Sequence, residues 1–468
     1  MNGLPADSRR GPLRLVVAGV VASLLVVGWR SFCTLQQIQW NAPRLTPCFA
    51  LARGLTIYGT REHGPYLGWT YGPVSPLFLL PAAWAPNLTL AYAVAFALNV
   101  AAFLLPAWFA IALALPPGRA RGLALLFWCS LALSGEMTLL PLAFLHVDLL
   151  CLGWLIGSVA LLVRGLRSGN PLPWILLAAL TTALAIWTKQ SAVAAPAALT
   201  LALWFEGRKR EAVWLLLGAA AWTALLGLVF VSWFGAEPLA FNLIEFHRHN
   251  PWRDDWAAFF LALPRSTVGW LAAGVAIFWL RSRAARERIV WSDVERLLLW
   301  LAVGCAPLGL IAAMKVAGGW NSLHSLSLGV LVLAIFLGRV VSAAWNDASR
   351  RRPVLLALAG PAVAALLAAT VADLRWTPST VQSDDLAYAR LHPGRLYLPW
   401  NPLLTLITDG RIYPFDDALL CLARAGLEAP RASVQKDIPH GALVVYPDPV
   451  QSQFALRYLA PEAKAAQP

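Results

Sequence analysis

From residue 13 to residue 373 the chain is a succession of apolar runs separated by short connectors, with no polar stretch long enough to interrupt them as a separate soluble domain. A hydrocarbon core about 30 Å thick needs roughly 20 apolar residues per helix. Inside lipid every backbone N–H and C=O must be paired within the protein, which makes helices the spanning element for runs of this kind. The runs predict about eleven spans by this length rule, over residues 13–29, 88–115, 122–134, 149–163, 172–187, 191–204, 212–234, 256–280, 296–314, 323–341 and 353–371. The segment 74–84 is shorter and carries Pro76 and Pro81, so it reads as a helix lying at the interface. Two arginines precede the first run, but no small-residue cleavage site follows Trp29 and further spans come later, so this run reads as an uncleaved anchor.

Only from residue 374 does the composition become that of a soluble domain. The fold class read from this pattern is an all-α polytopic membrane protein, with a transmembrane unit over 1–373 and a small α/β domain over 374–468. Short strands are expected at 395–398 and 442–446, with helical stretches between them. Six cysteines occur without CxxC or Cys/His metal spacing. Cys33 and Cys48 share one loop, where a disulfide is expected if that loop meets an oxidising compartment.

The net charge of +13 does not point to nucleic acid. Its arginines and lysines form short clusters between apolar runs and lack the interleaved polar and aromatic surface that such a partner needs. They behave as topology signals instead. With Arg9, Arg10 and Arg14 cytoplasmic, every second connector is also basic: Arg119 and Arg121, Arg164 and Arg167, Arg208 to Arg210, Arg281 to Arg288, and Arg350 to Arg352. The rest, including a long first loop over 30–87, are then extracytoplasmic, and so is the C-terminal domain.

That outer set collects most of the residues capable of chemistry. In GTREHGPYLGWTYGP, residues 59–73, Glu62 is the only acidic residue between Asp7 and Glu136. The preceding CFALARGLTIY reads as an amphipathic helix ending at Tyr58. Lys189 in WTKQS and Lys315 in KVAGGWNS lie at outer ends of spans, where the orientation rule disfavours cations. Each suits either anchoring or the holding of a phosphate as a point charge. His146 and Asp148, in LAFLHVDLL, open a span; they suit a shared substrate or divalent-cation site, or an aspartate favoured by the helix dipole. In EFHRHNPWRDDW, Arg248 beside Trp252 and Trp256 suits an anionic lipid head group.

A long first outer loop, an aromatic-Gly-Pro-x-x-Pro turn, HVD opening a span, TKQS at an outer helix end and GGWNS before another together resemble the class C glycosyltransferases, the GT-C superfamily. That superfamily includes protein mannosyltransferases and bacterial transferases that decorate lipid A and cell-wall polymers. The resemblance implies a bacterial inner-membrane enzyme that takes a sugar from a polyprenyl-phosphate carrier and adds it, outside the cytoplasm, to a hydroxyl of an envelope glycan, lipid or protein. A single displacement would invert the anomeric carbon. The superfamily's catalytic aspartate follows the first span, whereas Asn41 stands there in this chain, and an amide cannot act as a general base. The resemblance then implies Glu62 as the base, with Glu136 and Asp148 as alternatives. His63, Tyr71, His146, Lys189, Gln190, Arg248, Lys315 and Asn321 are implied as substrate-binding, and a divalent cation as a candidate cofactor. A lipid-linked sugar flippase or a non-catalytic assembly subunit are the competing expectations. A flippase is expected to carry ionisable residues in mid-span, and none is evident in the sequence.

Overall fold

In a computed structural model, the structure describes residues 11–261, 291–345 apart from 317, 359–360, 363, 377–445 and 454–459. The expected spans at 353–371 and over most of 256–280 lie outside the described residues. The remaining apolar runs form α1 (Gly11–Cys33), α5 (Leu88–Ala114), α6 (Arg119–Leu133), α8 (Val147–Leu166), α9 (Leu172–Thr188), α10 (Ala195–Phe205), α11 (Lys209–Phe234), α15 (Asp293–Ala313) and α16 (Ser327–Ala344). Among the described residues, six helices are long and apolar enough to cross a membrane, or seven if α6 and the following α7 (Glu136–Ala143), bent by 84°, count as one. The protein is therefore a helical, multi-pass membrane protein.

Between these lie short elements. The first loop holds α2 (Asn41–Ala52), α3 (Val74–Phe78) and α4 (Leu80–Ala83). The loop after α11 holds α12 (Ala236–Ala240), a π-helical turn (Phe241–Glu245), α13 (Phe246–His249) and α14 (Trp256–Leu261). The first loop differs from expectation in three respects. Its amphipathic helix starts at Asn41 and stops at Ala52, because Gly54 takes a left-handed φ of +70°, so Thr56 to Tyr58 lie outside the helix. The expected interfacial helix is two short pieces, α3 and α4, broken at Leu79 just ahead of Pro81. No disulfide links Cys33 to Cys48; the Cys48 thiol donates instead to the Leu45 carbonyl at 3.0 Å.

The core is organised on α8, the most buried of the spans, which packs against α5 and α9. Its Gly153 permits this: a Cβ there would lie 2.5 Å from the Ala102 carbonyl oxygen of α5, so a larger residue would push the two helices apart. α11 covers α9, and α16 packs on α6. The arginine-bearing connectors meet at one end of this bundle. Arg167 reaches Asp293 at 3.7 Å, and Arg296 reaches Glu206 at 2.9 Å.

The C-terminal segment contains α17 (Val381–Leu391), α18 (Pro402–Asp409), α19 (Asp416–Arg424) and α20 (Arg431–Lys436). Strands β1 (Leu396–Tyr397) and β2 (Leu443–Val444) pair in parallel, Leu396 opposite Leu443. The segment is fastened to the first loop and to α5 by buried polar contacts. Tyr92 Oη donates to Gln382 Oε1 at 2.6 Å, Gln382 Nε2 donates to the Gln36 carbonyl at 2.9 Å, and the Phe415 amide donates to the Tyr66 carbonyl at 2.9 Å.

Candidate active site

The end of the bundle opposite the arginine connectors is built around Asp148, in the first turn of α8. The chain arrives there through a tight turn after α7. Leu145 is a non-glycine residue at φ +50°, a conformation that costs on the order of 1–3 kcal/mol and persists only where its surroundings enforce it. Leu145 is buried, and the next amide, His146 N–H, donates to the Pro141 carbonyl at 2.9 Å. The turn thereby points His146 and Asp148 into the protein, where both are buried.

Asp148 is 0% exposed and both its oxygens are engaged. Oδ1 accepts from Lys189 Nζ, with His324 Nδ1 3.6 Å away. Oδ2 accepts from Asn321 Nδ2 at 2.7 Å and lies 2.5 Å from His146 Nδ1. That last contact is side-on and not a directed N–H···O bond, so the pairing of His146 with the carboxylate is electrostatic. Lys189 follows the last residue of α9, and Asn321 and His324 come from the 3-10 turn Trp320–Leu326 ahead of α16. Three separate chain breaks between helices thus converge on one carboxylate. Removing either member of a buried pair of this kind leaves a charge without its partner, at a cost of about 3–5 kcal/mol.

Above the cluster lies Tyr71, half-buried, whose Oη is 2.9 Å from His146 Nε2, the two rings meeting edge to face at 5.1 Å. Its backbone is held from several sides. Tyr58 Oη donates to the Tyr71 carbonyl at 2.7 Å, and Gln190 Nε2 donates to the Thr70 carbonyl at 2.8 Å. His247 Nε2 is 3.0 Å from that same Thr70 oxygen. At Gly72 the loop presses against the end of α9 so closely that a Cβ would sit 1.7 Å from the Trp187 carbonyl oxygen. Only glycine lets the loop seat Tyr71 here.

Position 41 has a structural task that an aspartate could not perform. Asn41 is fully buried, and its Nδ2 donates to the Leu35 carbonyl at 2.9 Å and to the Ala143 carbonyl at 3.0 Å, tying the start of α2 to the end of α7. A carboxylate would turn two acceptors toward those carbonyls. One helical turn on, Arg44 Nη1 donates to the Phe144 carbonyl at 2.8 Å. Burial lowers the Arg44 guanidinium to about 10, with the Asp148 charge opposing the shift, and it stays cationic.

The other residues singled out in the sequence lie elsewhere. Glu62 and His63 are exposed in a bend, and the adjacent Arg61 donates from Nε to the Glu428 carbonyl at 3.1 Å, so this stretch faces the C-terminal segment. Lys315 Nζ donates to the Asn250 carbonyl at 2.7 Å and sits 4.2 Å over the Trp252 ring, apart from Asp148. Arg248 is exposed on α13. Glu136 opens α7, and its side chain lies outside the described residues. His324, His247 and Arg44 were not singled out in the sequence. The available signal for Arg44 was its place one turn after Asn41, as the only cation between Arg30 and Arg53. Among the described residues no group of three histidine, cysteine or acidic side chains is arranged to hold a metal ion. The Asp148 oxygens are already taken by a lysine and an amide, so the cluster does not fit a divalent cation.

This arrangement of helices and loops has known counterparts. The chain superposes on ArnT from Cupriavidus metallidurans bound to undecaprenyl phosphate with a TM-score of 0.53 and 15% identity, over 96% of this chain and 89% of that one. The chain shares that protein's fold. The apo state of the same ArnT superposes with a TM-score of 0.52 at 15% identity, over 94% of this chain and 87% of that one. The oligosaccharyltransferase AglB from Archaeoglobus fulgidus, in complex with an inhibitory peptide and a dolichol-phosphate, gives a TM-score of 0.46 at 14% identity, over 80% of this chain and 58% of that one. No family model matches the chain, and no curated protein matches it.

Proposed function

We propose that this protein is a membrane glycosyltransferase that moves a sugar from a polyprenyl-phosphate carrier to a hydroxyl of an envelope glycan, lipid or protein. The reaction runs on the extracytoplasmic face of a bacterial inner membrane, and the C-terminal segment is a small domain on that face. The observation that carries this reading is the set of ionisable groups around Asp148, buried beneath a clamped loop at the end of the bundle away from the basic connectors. Single-displacement glycosyl transfer asks for three things: a group to take the acceptor's proton, positive charge for the departing phosphate, and an apolar surface for the carrier. Among the described residues, Arg44 is a cation beside the cluster that carries no carboxylate partner in an ion pair of its own, and it suits the phosphate. Lys189, already paired with Asp148, holds that carboxylate in place instead of binding an anion. The exposed apolar faces of α5 and α11, with Leu105, Phe109, Leu228 and Trp233 outward, suit lipid chains.

Glu62 is less suited to the reaction than the Asp148 cluster, because an exposed carboxylate in a bend cannot be kept dry beside the phosphate. The test compares envelope glycolipids and glycans by mass spectrometry in cells with and without the gene. A hexose or pentose missing from one defined species, restored by the wild-type gene and not by Arg44→Gln, is the expected result. An unchanged glycan profile overturns the reading.

A further inference from the structure

We infer that Tyr71, His146 and Asp148 form a proton relay that takes the place of the family's single carboxylate base. In it the Tyr71 hydroxyl passes the acceptor's proton to His146 Nε2, and Asp148 stabilises the imidazolium that results. The inference rests on the transferase reading above and names the proton acceptor of that reaction.

Three observations converge on it. First, Asp148 cannot itself meet a substrate: it is fully buried and both oxygens are engaged, by Lys189 on one side and by Asn321 and His146 on the other. Second, the ring that touches it offers a way out. With Nε2 accepting from the Tyr71 hydroxyl at 2.9 Å, the His146 proton is on Nδ1, 2.5 Å from the carboxylate. A positive charge arriving on the ring is met there by a fixed negative one. Third, Tyr71 alone of the three is not fully buried, and its loop is clamped through Thr70, Gly72 and its own carbonyl, so the hydroxyl is held against His146 with little freedom.

The acceptor oxygen attacks the anomeric carbon and forms the new C–O bond. The bond from that carbon to the carrier phosphate breaks, and its electron pair leaves with the phosphate oxygen, whose new negative charge faces Arg44. The acceptor's proton moves to Tyr71 Oη as the Tyr71 proton moves to His146 Nε2, and the imidazolium later releases it to water. The charged groups facing His146 are Asp148 on α8, Lys189 after α9, Arg44 on α2 and His324 before α16, with the Tyr71 hydroxyl above. Burial lowers His146 to about 4, so the ring is neutral and able to accept a proton above that pH. That basicity matches an ordinary carboxylate of about 4. The relay therefore supplies what a loop aspartate would, without a second anion beside the departing phosphate.

The test uses the full-length protein in lipid nanodiscs for binding of undecaprenyl phosphate, and gene-deleted cells carrying each variant for the rate of product accumulation. Tyr71→Phe and His146→Gln are expected to bind undecaprenyl phosphate within about twofold of wild type and to lose about 100-fold or more in product rate, the usual range for acid–base catalysis. A difluorotyrosine at position 71, which alters hydroxyl acidity but not shape, is expected to change the rate without moving the thermal midpoint. Asp148 acts through His146, so in Asp148→Asn the acidic limb of the rate profile is expected to move to lower pH, because the imidazolium loses its counter-charge. A wild-type product rate in Tyr71→Phe, or an unchanged rate with difluorotyrosine, overturns the relay. If Tyr71→Phe fails to fold, full activity in His146→Gln overturns it equally. The transferase reading fails differently: wild type itself neither binds undecaprenyl phosphate nor changes any glycolipid.

Discussion

Two buried carboxylates stand in the first turns of spans at opposite ends of this bundle, and they are used in different ways. Glu295, 1% exposed, belongs to a capping box: its Oε2 accepts from the Ser292 amide and hydroxyl at 2.8 Å, and the Glu295 amide donates back to Ser292 Oγ at 3.4 Å. Arg339 Nη2 completes the set at 2.7 Å. Every contact there serves to start α15 and to hold α16 beside it. Asp148 makes no backbone cap. Its partners are a lysine, an amide and imidazoles, groups that move protons or carry charge, and they lead out to a half-buried tyrosine. Burial alone does not mark an active site; what the carboxylate is spent on does.

The sharpest way to break that contrast is to neutralise each acid in turn. Asp148→Asn is expected to lower product formation by about 10³-fold, within the range of acid–base catalysis. Because it strands the Lys189 charge, the double change Asp148→Asn with Lys189→Met is expected to recover thermal stability but not transfer. Transfer recovering along with stability would make Asp148 a packing residue like Glu295. Next in size, Glu295→Ala is expected to cost about 2–3 kcal/mol, from the lost contact to Arg339 and the lost cap. It is read as a lower thermal midpoint in detergent, with the product rate per folded molecule near wild type. A loss of rate at unchanged stability would contradict this division of labour.

A smaller effect separates the clamp from the chemistry. Gly72→Ala forces the Tyr71 loop away from the Trp187 carbonyl, and a displacement near 1 Å at a reacting group can cost up to about 100-fold in rate. Steady-state transfer is expected to fall by about 10- to 100-fold, with undecaprenyl phosphate still bound; an unaffected rate would mean that the position of Tyr71 does not matter. The least effect is expected at Glu62. Its exposure predicts that Glu62→Gln changes transfer by no more than about twofold. A loss comparable to Asp148→Asn would return the base to the first loop.

The apolar runs carried the helical, multi-pass architecture, because a helix in lipid is dictated by length and hydropathy, both local properties of the sequence. HVD, TKQS and GGWNS were legible as polar groups at helix ends, and His146, Asp148, Lys189 and Asn321 do meet. Their partnership was not legible. Asp148 and Asn321 are 173 residues apart, and only the packing of α8, α9 and α15 brings them together. Lys189 and Lys315 look alike in sequence, yet one is buried on a carboxylate and the other lies over a tryptophan. Asn41 read as a missing base, whereas its two donated hydrogen bonds need an amide. By itself the sequence determined a multi-pass helical membrane protein with its polar chemistry at helix ends. Tertiary structure alone decided which carboxylate is kept dry, paired and linked through a histidine to a tyrosine, because burial and charge pairing depend on residues that the chain order keeps far apart.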